Sequence, residues 1–364
     1  MGGFCSSNDD NPPPIVEPEL KFKLLLLGPG ESGKSTVLKQ LKSIYNVAPN
    51  EHDLDECKKA LHQNTLECMK VLCDAAERFK YGLGDEDTKT AKWLQDEDVQ
   101  YGDTAITAAQ AKAIQKLFKS EAIQNAYARR DEFWILDACD YYVEHVPRFA
   151  AQDYAPDERD MVMCRIRTTG RVLDAKLKVK SQERGEGDPE FITYEIIDVG
   201  GQRNERKKWV QMLSNVKAII FLVNLAGYNQ VLYENKEINR MFEALEVFGK
   251  ITGWRDESKT STGAKNALRG GDLFKHLPIY LLLNKKDIFE KMIYKVGLDK
   301  TFPEYRGGSK SDEAIDFIKE QFQKRCPPGK NIMMLDITGV SRHDVRTAFR
   351  EIEKDLLKNH RSTS

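Results

Sequence analysis

Leu24-Leu25-Leu26-Leu27-Gly28-Pro29-Gly30-Glu31-Ser32-Gly33-Lys34-Ser35-Thr36 joins an apolar run to the spacing G-x-x-x-x-G-K-S. Four leucines followed by a glycine-rich turn and Lys-Ser-Thr read as strand, phosphate-binding loop and helix. Phosphate oxygens need several converging N–H donors. Glycines let the backbone wrap close enough to supply them, and the following helix presents its positive end. Lys34 reaches toward β- and γ-phosphates, and the Ser35 hydroxyl suits Mg²⁺. This spacing predicts a nucleoside triphosphate site.

Further along, Ile279-Tyr280-Leu281-Leu282-Leu283 has the same buried-strand pattern and delivers Asn284-Lys285-Lys286-Asp287. The Asp287 carboxylate can accept from both N1–H and the exocyclic amine of guanine. Adenine offers no such donor pair, so the motif selects GTP over ATP. The Lys285 stem can lie over the base. Between these motifs, Tyr194-Glu195-Ile196-Ile197-Asp198-Val199-Gly200-Gly201-Gln202 reads as a strand ending in Asp-x-Gly-Gly-Gln. Asp198 can hold magnesium through water, the Gly201 N–H can approach a γ-phosphate, and Gln202 can orient the attacking water. Upstream, Arg165-Ile166-Arg167-Thr168-Thr169-Gly170 spaces a cation and a hydroxyl three residues apart. Thr168 reads as the second protein ligand to magnesium, and Arg165 as an internal cation for the charge spreading over the transferred phosphoryl group.

These motifs together resemble the alpha subunits of heterotrimeric G proteins over roughly residues 20 to 360. The likeness rests on GxGESGKST at Gly28–Thr36, RxRTTG at Arg165–Gly170, DVGGQRxERKKW at Asp198–Trp209 and NKKD at Asn284–Asp287. Tyr141-Tyr142, Asn239-Arg240-Met241 and Phe302-Pro303-Glu304-Tyr305 support it. The resemblance implies an α/β fold: a P-loop Ras-like GTPase domain, with a doubly wound, mostly parallel six-stranded sheet, carrying an inserted all-α domain. It implies GTP/GDP and Mg²⁺ as cofactors and hydrolysis by Gln202 and Arg165. The phosphate side of the site would comprise Gly28, Gly30, Glu31, Ser32, Gly33, Lys34, Ser35 and Thr36, with Asp198, Gly200 and Gly201. The base side would comprise Asn284, Lys285, Asp287, Thr338 and Gly339. Asp137, Ala138, Met163, Cys164, Arg165 and Thr168 would close it from the inserted domain and its return. Metal ligands would be Ser35, Thr168 and, through water, Asp198. By the same likeness Asp137 pairs with Lys285 and Glu31 with Arg165, locking the GDP state.

Periodicity places strands at 21–27, about 172–180, 193–198, 217–223, 278–283 and 331–336, with helices between, one of them at 236–251. Residues 47–162 show helical spacing without a convincing strand. There Leu54, Cys57, Leu61, Cys68 and Leu72 share one face, and Ile114, Leu117 and Phe118 another. The expected division is a lipidatable tail at 1–20, a GTPase domain at 21–46 and 163–364, and a helical domain at 47–162. A net charge of −1 gives no electrostatic case for nucleic acid. Seven cysteines without metal or disulfide spacing fit a reduced setting. No apolar run approaches the ~20 residues that span a bilayer.

Met1-Gly2-Gly3-Phe4-Cys5-Ser6 fits the N-myristoylation pattern on Gly2. One acyl chain holds only marginally, so palmitate on Cys5 is the expected second anchor. The implied location is peripheral, at the cytoplasmic face of the plasma membrane. Implied partners are an RGS-type GTPase accelerator, an effector, a beta-gamma dimer and a seven-helix receptor. Several positions depart from the family. Asn11-Pro12-Pro13-Pro14 and Pro18 forbid the long N-terminal helix that docks on beta-gamma, leaving Arg206, Lys207, Lys208 and an exposed Trp209 to carry that contact. The terminal Leu356-Leu357-Lys358-Asn359-His360-Arg361-Ser362-Thr363-Ser364 lacks the apolar end that enters receptors. Ile337-Thr338-Gly339-Val340 replaces the usual guanine loop, whose work falls to backbone N–H groups. A polar insertion at 181–190 reads as a solvated hairpin tip, and one at 253–272 as a disordered stretch, with an effector contact as its alternative. A second reading therefore stands beside the heterotrimer subunit: a fast-exchanging, beta-gamma-independent switch that binds effectors in its GTP state.

Overall fold

A computed structural model of the chain describes residues 20–96, 105–166, 172–182, 185, 189–232, 237–254, 274, 276–330 and 332–363. Gly2, Cys5, Thr168 and nearly all of the 253–272 insertion lie outside them. Six strands form one sheet: β1 (Leu20–Leu27), β2 (Val172–Lys180), β3 (Phe191–Val199), β4 (Val216–Asn224), β5 (Ile279–Asn284) and β6 (Met333–Asp336). Their order is β2-β3-β1-β4-β5-β6, all parallel except β2, which pairs antiparallel with β3. Strand ends fall within two residues of those read from the sequence. Because β1 has β3 on one side and β4 on the other, the chain leaving β1 enters the crevice where the winding reverses. Such crevices are where open α/β sheets bind ligands.

Helices cover both faces of the sheet. On one face, α1 (Lys34–Ile44) and, at the far end of the chain, α11 (Arg342–Thr363) pack Val37, Leu38, Leu41, Phe349 and Ile352 against Leu24, Leu26, Ile196 and Ile220. On the other, α8 (Arg240–Thr252), α9 (Lys286–Ile293) and α10 (Ser311–Gln323) bury Phe248, Phe289 and Phe322 over Leu25, Ile219 and Leu281. The helix expected from 236 begins at Arg240 instead. The Asn239 side chain accepts from Met241 N and Phe242 N, and that cap fixes the start.

Residues 51–163 hold α2 (Glu51–Arg78), α3 (Asp85–Leu94), α4 (Ala108–Phe118), α5 (Glu121–Ala128), α6 (Cys139–Phe149) and α7 (Glu158–Met163). They share a separate core that includes Leu61, Leu72, Ile114, Leu117 and Tyr142. Leu54 and Phe118 sit at its margin, half-buried. Reciprocal capping boxes start three of these helices, from Asn50, Thr107 and Asp157.

The last box anchors the return to the sheet. The buried Asp160 carboxylate accepts from Tyr141 (2.7 Å), Tyr154 (2.8 Å), both Arg148 terminal nitrogens (2.6 and 2.8 Å) and the Asp157 N–H (2.9 Å). Burial pushes its pKa up, but these donors outweigh burial and hold it below the usual value. Asp160→Ala should cost about 3 kcal/mol, because it strands a guanidinium and two phenols built around a charge. A lowered folded pKa means the contribution is complete above the unfolded-state value of ~3.9. It disappears as pH falls through the folded one. The gap in thermal stability between parent and variant, followed downward from pH 7, should therefore narrow as the pH falls through the folded value.

Candidate active site

The loop after β1 is shaped by where side chains cannot go. Gly28 has φ 144°, and a Cβ there would lie 2.3 Å from the Leu222 carbonyl oxygen of β4. Gly33 has φ 95°, and its Cβ would meet Asn284 Nδ2 at 2.1 Å. From Gly33 the chain enters α1, and Lys34 folds back over the loop, donating to the Gly28 and Pro29 carbonyls at 3.0 Å each. Burial pushes the Lys34 ammonium down to about 8; Asp198 opposes and Arg206 adds to the shift. The Ser35 hydroxyl donates to Asp198 Oδ2 at 2.5 Å.

Asp198 is fully buried at the end of β3, and its other oxygen has no hydrogen-bond partner among the described residues. Burial raises its pKa despite Lys34, Ser35 and Lys39. The buried Ser32 hydroxyl is orphaned in the same way. A buried carboxylate with a free oxygen beside a hydroxyl is a hard-oxygen donor set of the kind Mg²⁺ takes, usually keeping several waters. The residues present fit the metal.

Beyond β3, a Cβ on Gly201 would sit 2.3 Å from the Gly28 carbonyl oxygen and 2.4 Å from Lys34 Nζ, so no side chain fits between this segment and the phosphate loop. Arg206 donates to the Gly201 carbonyl (3.0 Å) and joins Arg203 on the buried Glu243 of α8. Trp209, expected exposed, is 2% exposed, with its indole N–H on the Gly200 carbonyl at 2.9 Å. An inward acceptor and an apolar bed in the α8 core outcompete solvent for this ring.

At the other end of the site, the Asn284 amide ties three loops together. It donates to Ser32 O (2.9 Å) and accepts from Lys285 N (2.7 Å) and Gly339 N (2.8 Å). Lys285 takes a left-handed conformation, φ 66°, and its ammonium pairs with Asp137. The Gly339 N–H is engaged by Asn284, and the Thr338 N–H by Asp344 at 3.0 Å.

Glu31 bridges the walls. Its carboxylate accepts from Trp134 Nε1 (3.0 Å), Arg165 (3.1 Å) and Arg240 (2.6 Å). Burial works against the charge, yet Arg165, Arg240, Lys285 and Trp134 together bring its pKa down to about 2. Arg165 is itself clamped through its backbone, whose N–H and C=O bond the Asn64 amide at 2.8 and 3.0 Å.

These groups surround one cavity of about 560 Å³ between sheet and helices. Gly30, Glu31, Gly33, Lys34, Ser35 and Thr36 line it with Asp137, Ala138, Met163, Cys164, Arg165, Gly201, Gln202, Asn284, Lys285, Asp287 and Gly339. Gly28, Ser32, Asp198, Gly200 and Thr338 stand behind that surface. Trp134, Arg240 and Asn64 were not singled out for the site from sequence. Only Arg240 carried a signal, lying in the Asn239-Arg240-Met241 stretch.

The model of the family described as G-protein alpha subunit matches residues 10–356. The chain belongs to that family. This alpha subunit is 39% identical over 348 residues to guanine nucleotide-binding protein alpha-8 subunit of Dictyostelium discoideum, spanning 94% of this chain and 78% of that one. It is 29% identical over 376 residues to the alpha-17 subunit of Caenorhabditis elegans, spanning 98% of each. A guanine nucleotide-binding protein subunit alpha of Sporothrix schenckii is 34% identical over 305 residues, covering 83% of this chain and 78% of its own.

In this alpha subunit Gly201 faces the phosphate loop from outside it, with no room for a Cβ. Gly201→Ala should push the segment off Lys34 and lower affinity for a non-hydrolysable GTP analogue by about tenfold or more, the effect of ~1.4 kcal/mol. GDP affinity should change less. Fluorescence titration with both nucleotides checks this; equal losses would place the clash elsewhere.

Proposed function

We propose that this chain is a magnesium-dependent GTPase switch acting at the cytoplasmic face of the plasma membrane, held there by myristate on Gly2 and palmitate on Cys5. As a G-protein alpha subunit it is a GTP-binding signalling switch that hydrolyses GTP and works through effectors and regulators. The observation that carries the residue assignment is a single cavity with Lys34 and Ser35, backed by buried Asp198, at one end and Asn284 with Asp287 at the other.

GTP lies with its phosphates on the loop from Gly28 to Thr36 and its base against Lys285 and Asp287. Ser35, Thr168 and, through water, Asp198 would hold the metal, which would supply charge neutralisation to the phosphates. Lys34 offers its ammonium to the β- and γ-phosphates, and Gly201 N–H approaches the γ-phosphate. Gln202 orients the water for in-line attack. Arg165 receives the charge that develops on the transferred group.

The Glu31–Arg165 and Lys285–Asp137 pairs tie one wall of the cavity to the other. They favour slow nucleotide release, and so the regulated switch over its fast-exchanging alternative. Partners follow from the family: an RGS-type accelerator, an effector, a seven-helix receptor and beta-gamma. With Trp209 turned inward, a beta-gamma contact on this segment would use exposed Lys207 and Val210.

Gln202→Leu should reduce single-turnover GTP hydrolysis by on the order of 10²-fold or more while GTP-analogue binding stays at the parent level. Unchanged hydrolysis sinks the role given to Gln202. In the parent, steady-state turnover should be slower than the single-turnover rate; equal rates would favour the fast-exchanging reading.

A further inference from the structure

Helix α2 carries two thiol pairs. Cys68 lies against Cys139 of α6, and Cys57 against Cys164 in the segment that leads from α7 to Arg165. Their surroundings differ. All four are buried in the apolar core of the helices, and Cys68 and Cys139 line no part of the nucleotide cavity. Cys164 instead meets a cation: Lys39 Nζ of α1 lies 3.2 Å from its Sγ and 2.8 Å from its carbonyl oxygen. Both Lys39 and Cys164 line the nucleotide cavity, whereas Cys57 stands behind, fully buried. The facing Cys57 thiol does most to draw Cys164 down against burial, with the Lys39 ammonium adding to it, and Cys57 is raised in turn. A lowered thiol is held toward thiolate, the nucleophilic form. Three pieces of chain thus meet at one sulfur: α1 after the phosphate loop, α2, and the segment bearing Arg165.

We propose that Cys164 and Cys57 form an oxidisable dithiol site in the wall of the nucleotide cavity, with a small hydroperoxide as its reactant. The Cys164 thiolate attacks one peroxide oxygen. The O–O bond breaks, an S–O bond forms, and the departing hydroxide takes up a proton to leave as water. The Cys57 sulfur then attacks the sulfenic sulfur of Cys164. An S–S bond forms, the S–O bond breaks, and the Cys57 proton leaves with hydroxide as a second water. The two thiols lose two electrons and the peroxide gains them. The new bond fastens α2 to the segment that carries Arg165, restraining the helical wall of the cavity and slowing nucleotide exit. In a reducing compartment such a link is reversible by thiol exchange.

The site stands on the nucleotide reading only for its effect on release. Full-length protein, with and without excess GDP, is treated with hydrogen peroxide and digested without reduction. The expected product is a Cys57–Cys164 linked peptide that forms ahead of any Cys68–Cys139 peptide, forms more slowly with GDP present, and vanishes with dithiothreitol. Release of a fluorescent GDP analogue should slow on the order of tenfold in the oxidised parent and not at all in oxidised Cys57→Ser. Peroxide that leaves both thiols free, or links Cys68 to Cys139 equally fast, overturns the site. A link that leaves release unchanged overturns the restraint. A protein that binds no GDP overturns the functional reading above, while the linked peptide is still read on its own.

Discussion

The side-chain amide of Asn284 sets the distance between the two ends of the site. It sits at the end of β5, 2% exposed, and engages the phosphate loop through Ser32, its own chain through Lys285, and the loop after β6 through Gly339. Each contact alone is an ordinary hydrogen bond of about 1 kcal/mol net. Their joint effect is geometric. Three loops that leave three different strands are held in one register, so a nucleotide that spans them meets phosphate donors and base acceptors already placed. Preorganisation of this kind leaves less ordering to be done on binding. The glycines at 33 and 339 are part of the same constraint, since a Cβ at either would fall 2.1 or 2.8 Å from the Asn284 amide.

Charge is distributed around that frame in two unlike ways. On the phosphate side, Lys34 and Asp198 are both buried and both shifted toward neutrality, and Asp198 keeps an oxygen without a partner. Groups in that condition have unmet electrostatic demand, which is where a ligand of complementary charge would gain binding energy. Glu31, on the same loop, shows the opposite. It is oversupplied with cations and an indole donor, and its pKa of about 2 reports a charge that is fully used. Lys34 and Asp198 are short of partners, while Glu31 latches the walls together.

How much of this was legible in the sequence depends on whether a feature is local. The phosphate loop, the Asp198–Gln202 segment and Asn284–Asp287 could be read because their chemistry demands particular residues at fixed spacing beside a strand. The sheet followed from apolar runs alternating with helical periods, and the separate helical core from leucines and cysteines on one face of α2. What escaped was decided by packing. An indole beside Arg-Lys-Lys looks like surface until the Gly200 carbonyl and the α8 core are seen to receive it. Nothing near Trp134 announces that its N–H reaches a carboxylate 103 residues away. Likewise the amides of Thr338 and Gly339 read as free donors in sequence, yet Asp344 and Asn284 take them.

The same contrast explains why the cavity and its walls must be understood together. Arg165 is held at its backbone by Asn64 of α2 and at its guanidinium by Glu31 of the phosphate loop. Cys164, one residue earlier, is held by Lys39 of α1. The segment that carries Arg165 is thus gripped by both the sheet side and the helical side, and neither side can move without altering it. Separating the walls breaks Glu31–Trp134 and Lys285–Asp137 directly, and it pulls Asn64 against Lys39 on adjacent residues. Opening of the cavity and displacement of Arg165 are therefore one mechanical event, coupled through covalent neighbours rather than through a distant relay.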